Sequence, residues 1–367
     1  MDALALTRRL LTFDTCNPPG REAECARFLA GLLEAAGFRV EAAEFAASRT
    51  NLIADLGDGA RPPICFSGHL DTVPVGETPW TRPPFEGRLE GDTLYGRGVS
   101  DMKSGVGAMV AAALQAAGAA RGRAGIRLIL TAGEETGCDG AFFLARSGRI
   151  RPPVRALVVG EPTANYPCIA HKGVIWLQAR AQGRSAHGSM PELGDNAIYK
   201  AAAAIGRLQS FSFGLPAHPV LGSPTLNVGT VSGGAAINIV PDHAAFTLDV
   251  RTIPGPSHAM LRGRLQSCAG PEIEFDTRLD CPPVATDPGD PWVAETFARL
   301  AGLLKTPIVP RGLTYFTDAS ALAEALGRPP VLIFGPGDPA RIHKPDETCS
   351  AQAIATACAA YTEMMLS

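Results

Sequence analysis

Three apolar runs in this chain end alike. The stretches 63-PICFSGHLD-71, 126-IRLILTAGEE-135 and 155-RALVVGEP-162 each pass from core-type residues straight into an acid or a histidine. Runs apolar at nearly every position belong to strands covered on both faces, which occur mainly in parallel sheets flanked by helices. The segments between them fit that requirement. Arg21 to Ala36 carries apolar residues at helical spacing and stops at Gly37. Asp101 stands where an N-cap belongs, ahead of a helix through Met109 to Ala116, and a further helix lies near Ala141 to Ser147. With two more strands at 38–45 and 51–57, the expectation is an α/β domain built on a mainly parallel sheet.

The pattern changes near Lys172. Strand (Val174 to Ala181), helix (Asn196 to Gln209), two strands (Thr225 to Val231, Ala244 to Arg251), helix (Ser257 to Ser267) and strand (Glu272 to Phe275) follow one another. That βαββαβ order predicts an α+β, ferredoxin-like unit. After 281-CPPVATDPGDP-291 the first pattern returns, with a helix from Trp292 to Leu304, a strand at 330–337 and a closing helix from Ala351. The boundaries expected are therefore 1–173 with 283–367 for the larger domain, and 174–282 for an insert.

Bulk properties exclude several partners. A chain of 367 residues with formal charge −3 has no basic field to attract nucleic acid or an anionic membrane surface. The N-terminus has an acid at position 2 and two arginines before any long apolar core forms, unlike a signal peptide. No apolar run is long enough to span a bilayer. Nine scattered cysteines without a C-x-x-C pair predict reduced thiols, and the expected location is the cytoplasm.

Polar residues collect where the apolar strands stop. His69 and Asp71, Glu134 and Glu135, and Glu161 each follow a strand, and Asp101 and His343 can join them. In an open α/β sheet that carboxyl edge is where ligands bind. Acids crowded there repel unless a divalent cation, or two, lies among them. His69, Asp101, Glu135, Glu161 and His343 offer more donors than one four-coordinate zinc takes. Divided between two ions, they give each a histidine and a terminal carboxylate, with Asp101 bridging. Two divalent ions against three carboxylates and a hydroxide are formally neutral. Ions about 3.5–4 Å apart can generate hydroxide at neutral pH and polarise a carbonyl. Mixed nitrogen and oxygen ligation suits zinc first, with cobalt or manganese next. One of the adjacent glutamates remains free as a general-base candidate, and Asp71 is placed to orient His69.

The ordered series 68-GHLDTVP-74, 95-YGRGVSDMKSG-105, 133-GEETG-137, 159-VGEPT-163, 171-HKG-173, 184-RSAHGSMP-191 and 343-HKPDE-347 resembles the M20 dinuclear metallohydrolase family. That family includes acetylornithine deacetylase, succinyl-diaminopimelate desuccinylase and glutamate carboxypeptidase. The resemblance implies that His69 and Glu161 hold one metal ion, Glu135 and His343 the other, and that Asp101 bridges them. It makes Glu134 the base that activates a metal-bridged water and Asp71 the orienting acid. It also implies a cis peptide at Asp101–Met102 and a lid function for the insert, which would form a homodimer. His187 then matches a histidine that reaches across the dimer to the oxyanion, and Asn238 and Arg251 match lid positions that bind a substrate carboxylate. The expected reaction is hydrolysis of the amide of an N-acyl amino acid, a small-molecule substrate, with a glutamate carboxypeptidase-type exopeptidase as the alternative.

Blander readings compete at several positions. His218 and His258, near prolines, read as solvated, and Cys138 reads as a small packing residue. Arg251, at the end of an alternating strand, could equally be a solvated strand residue or one half of an internal ion pair. The glycine-rich 96-GRGVSDMKSG-105 admits a phosphate-binding loop, and with it a non-hydrolytic nucleotide-binding α/β protein, although its spacing matches neither nucleotide fingerprint.

Overall fold

The computed structural model describes residues 2–118 and 125–367. They divide into two compact units: one of Met1–Ala170, Ala285–Gly312 and Thr317–Ser367, the other of His171–Val284 with Leu313–Phe316.

In the first unit a six-stranded sheet forms from β1 (Arg39–Ala46), β2 (Arg49–Leu56), β3 (Ile64–His69), β4 (Ile126–Thr131), β5 (Ala156–Val159) and β6 (Val331–Ile333), in the spatial order β1-β2-β4-β3-β5-β6. β1 with β2 and β2 with β4 pair antiparallel. β4 with β3, β3 with β5 and β5 with β6 pair parallel. Every residue of β3, β4 and β5 is buried, which is why these strands lack an alternating pattern. The helices Ala3–Leu11, Ala23–Ala35, Ser104–Ala117 and Ala351–Leu366 supply much of the core packed on them. Side-chain caps from Asp2 and Ser350 start two of these helices, each cap contributing about 1 kcal/mol.

Two local features bring the site together. Asp101 does not cap a helix: its φ of −117° and ψ of 95° are non-helical, and the helix begins at Ser104. The Asp101–Met102 peptide is cis. Gly105, in the first turn of that helix, lies so near β5 that a Cβ there would be 2.1 Å from the Gly160 carbonyl oxygen. Any side chain would push the Asp101 loop away from the strand that leads to Glu161. A small sheet missed in the sequence, Arg88–Glu90, Thr93–Tyr95 and Thr348–Ser350, ties the C-terminal segment to this same loop.

The second unit is a four-stranded antiparallel sheet of Gly173–Gln182, Thr225–Gly233, His243–Thr252 and Ile273–Cys281, with the helices Ala197–Gln209 and His258–Ala269. Thr225–Gly233 pairs with His243–Thr252, which pairs with Gly173–Gln182, which pairs with Ile273–Cys281. His243–Thr252 alternates buried and part-exposed positions, and its buried residues meet the two helices in a separate core. Among the described residues no helix is long and apolar enough to cross a membrane.

Candidate metal centre

Strand register explains the first cluster. Ser67 pairs with Val159 and His69 with Thr131, so His69 and Glu161 leave neighbouring strands at one level and the 133–135 turn leaves beside them. His69 Nδ1 lies 3.0 Å from the Asp71 carbonyl oxygen and 3.6 Å from the Asp71 carboxylate. A carbonyl can only accept, so Nδ1 carries a hydrogen, and Nε2 is the ring atom turned toward Asp101 that becomes a donor to a cation once its own proton is lost. The backbone of residue 71 thus orients the ring more closely than its side chain does. The Asp71 carboxylate instead ties the neighbouring loops: it accepts from Asn17 Nδ2 at 2.8 Å and from the Glu134 and Glu135 amides at 3.1 and 3.2 Å. Burial alone would raise its pKa, yet His69, Asn17 and the Glu134 amide together hold it below the usual carboxylate range.

Asp101 turns its two oxygens toward different histidines. Oδ1 is 3.0 Å from His69 Nε2, and Oδ2 is 3.3 Å from His343 Nε2. Glu161 Oε1 lies 3.9 Å from His69 Nε2, and Glu135 Oε2 lies 3.2 Å from His343 Nε2. Two groups capable of holding a cation result, His69–Asp101–Glu161 and Asp101–Glu135–His343, with donor atoms of each within 4.8 Å of one another. The five ligand candidates read from the sequence are therefore together. All are buried except Glu135, which is half-buried, and His343, whose side chain is 48% exposed.

The electrostatics show what such a cluster lacks. Carboxylates about 4 Å apart at an effective dielectric of 20 repel by about 4 kcal/mol. Without a cation the acids answer by holding protons. Burial, then the charge of Asp101, pushes Glu161 well above the usual carboxylate range and Glu135 up to about 7. Burial and Glu161 push Glu134 up as well. His343 is raised to about 10 by its bonds to Asp101 and Glu135. His69 is also raised, because bonds to Asp101 and Asp71 outweigh its burial. Asp101 goes the other way: burial opposes it, but the two histidines hold it ionised. Glu135 Oε1 is buried without any hydrogen-bond partner, an orphaned acceptor of the kind a cation would satisfy. The donor set and this orphan fit a divalent metal pair.

Glu347, unassigned from the sequence, organises the loop from below. Its Oε1 accepts from the Ser100 and Asp101 amides at 2.8 and 3.0 Å, and its Oε2 from the Gly98 amide at 3.0 Å and Arg97 Nη1 at 2.6 Å. Arg97 also reaches the carbonyls of Lys344 and Pro74, at 3.3 and 3.2 Å. One buried ion pair thereby joins the segments that follow His69, precede Asp101 and follow His343. It also answers the phosphate-loop reading. The amides of Gly98, Ser100 and Asp101, which a phosphate would use, already serve the Glu347 carboxylate.

In the second unit the remaining candidates have other surroundings. His187 is exposed, its Nδ1 2.8 Å from Ser189 Oγ. Gly188 donates to the Asn238 carbonyl at 2.8 Å, so His187 and Asn238 adjoin. Arg251 is clamped by Asp249, with Nε and Nη2 at 2.8 and 3.1 Å from its oxygens, the internal ion pair weighed from the sequence. His258 is not solvated: its side chain is 9% exposed and bridges Thr252 Oγ1 at 2.8 Å to Asp280 at 2.5 Å. Proximity to prolines concealed that Asp280 arrives from a strand more than twenty residues later.

Residues 65–367 match the model of peptidase family M20/M25/M40. A probable succinyl-diaminopimelate desuccinylase of Staphylococcus epidermidis is 31% identical over 94% of this chain and 92% of its own. An acetylornithine deacetylase of Salmonella arizonae is 34% identical over 87% of this chain and 84% of its own. The crystal structure of an M20 family metallo-carboxypeptidase from Sulfolobus solfataricus superimposes with a TM-score of 0.80 at 18% identity, covering 100% of this chain and 99% of that one.

Proposed function

The chain belongs to peptidase family M20/M25/M40 and is a metallo-amidohydrolase, and on that premise we propose that it hydrolyses the amide of an N-acyl amino acid at a centre of two divalent ions. The carrying observation is Asp101, whose oxygens are divided between His69 and His343. In this reading His69, Glu161 and Asp101 would hold one ion and Glu135, His343 and Asp101 the other, zinc being the best match to the donors and cobalt or manganese the next. When bound, the ions supply a nucleophile at neutral pH and polarise the scissile carbonyl.

The chain's own residues do the rest. Glu134 neighbours a ligand, is 7% exposed, and makes no ion pair among the described residues. It takes the proton of the attacking water and returns it to the leaving nitrogen. Asp71 fixes the 134–135 turn through both amides. We assign lid and dimerisation roles to the second unit, residues 174–282 in its core, with 1–173 and 283–367 as the catalytic domain. Its surface shows Tyr199 at 75% exposure and Val231 at 67%, apolar groups of the kind an interface covers. His187 would donate to the oxyanion in the partner subunit's centre, with Asn238 and Arg251 binding the substrate carboxylate. Arg251 would have to loosen its hold on Asp249 to do so. The cytoplasm is the location that fits nine free thiols.

The test is a substrate panel. N-acetyl, N-succinyl and N-formyl amino acids, beside dipeptides, should be assayed with added zinc or cobalt. Turnover of an acylated amino acid is expected, and cleavage of dipeptides alone would replace this reading with an exopeptidase. The cross-subunit role has its own measurement. Mixing inactive His187→Ala with inactive Glu134→Ala should restore activity through hybrid dimers, and no recovery rejects it.

A further inference from the structure

Behind Glu134 lies a deeper pair of residues to which the mechanism above gives no task. Cys138 is fully buried at the head of the helix Asp139–Arg146, in a left-handed conformation with φ of 60°. Its amide donates to the Glu134 carbonyl at 3.0 Å, closing a turn that sets the thiol 3.8 Å from Glu134 Oε1. The thiol also interacts with the carboxyl of Asp318, which is 1% exposed and precedes the helix Ala319–Ala325. Asp318 Oδ2 accepts from the hydroxyl of Thr131, the last residue of β4. Burying a carboxylate with so few donors is unfavourable, and a neutral residue at 318 would spare the fold that cost. Packing alone does not account for an acid there.

We propose that Cys138, backed by Asp318 and Thr131, is the positioning group of Glu134. The thiol sits where it can restrain Oε1, so that the carboxylate presents its other oxygen to the water in one orientation. A thiol is a weak, adaptable donor: it limits the direction of the carboxylate while competing little with the proton the base must take. Asp318 is the second acid that the single S–H faces, and it is itself pinned by Thr131 to the end of the strand that leads into the 133–135 turn. The inference rests on Glu134 as the base.

Its test starts without metal or substrate. The S–H stretching band of Cys138, isolated as the infrared difference between the wild type and Cys138→Ser in metal-free protein, should shift in Glu134→Gln and in Asp318→Asn. In the loaded enzyme Cys138→Ala should lower kcat about tenfold with KM changed less than about twofold, and Cys138→Ser should restore most of the rate. A band that ignores Glu134→Gln overturns the contact. A shifted band combined with wild-type kcat in Cys138→Ala overturns the positioning role. Full turnover in Glu134→Gln would instead remove the base assignment, and the infrared comparison separates that failure from this one.

Discussion

Glu134→Gln is expected to keep both metal ions and to lose about 10²–10⁴-fold in kcat, the usual worth of a positioned acid–base group. The amide is nearly isosteric, retains the main-chain bond to Asp71, and cannot take a proton at any working pH. None of the five proposed ligands is changed, so metal content measured on the purified variant should equal that of the wild type. The variant should also be the more stable protein when stripped of metal. It removes an acid whose ionisation is opposed by burial and then by Glu161, a trade of stability against activity that active sites commonly show. Wild-type turnover would falsify the assignment, and loss of metal together with activity would place Glu134 among the ligands.

Chelation should reverse the pH dependence of stability. In the metal-free protein Glu134, Glu135, Glu161 and Asp318 are raised, Glu135 to about 7 and Asp318 to about 6, each with burial as the largest cause. His69 and His343 are raised as well. Between pH 5 and pH 8 the folded chain therefore holds protons that the unfolded chain has released, and stability falls as pH rises. Asp71 and Asp101, both lowered, are ionised in either state across this window and leave the slope alone. Bound metal replaces those protons, so the loaded enzyme should be stable where the stripped one weakens. Thermal midpoints at several pH values, with and without chelator, measure this. Calorimetric titration with zinc in two buffers of different ionisation enthalpy should show protons released at pH 7. A stripped protein that gains stability from pH 5 to pH 8 would contradict the charge arrangement described.

The sequence made this site legible in proportion to how locally each residue is placed. His69, Glu134, Glu135 and Glu161 lie within a few residues of strand ends, so chain order alone brought them to one edge. Asp101 was found for a partly wrong reason: the cap it was expected to form does not exist, and its placement follows from the loop at Gly98 and the close approach at Gly105. Asp318, Glu347 and Asn17 carried no such signal. Asp318 meets Thr131 across 187 positions and Glu347 meets Asp101 across 246, and neither contact leaves a periodic trace. Cys138 was read as packing because nothing basic adjoins it in sequence, whereas its neighbours of consequence are two acids in space. The helix Ala319–Ala325, too short to declare its own pattern, was missed for the same reason.

The clamp at Glu347 also sets an order of events during synthesis. His69, Asp101 and Glu161 are all synthesised before the second unit, but His343 and Glu347 follow only after it. The β5–β6 pairing, Val159 with Ile333, must likewise wait. A nascent chain thus carries one potential metal triad with its Asp101 loop unanchored while the nearly contiguous second unit closes on its own. Only with the arrival of His343 is the second triad completed, and only with Glu347 are the amides of Gly98, Ser100 and Asp101 gathered. On the proposed two-ion reading, loading is consequently a step of maturation, reserved for chains whose translation has run through residue 347.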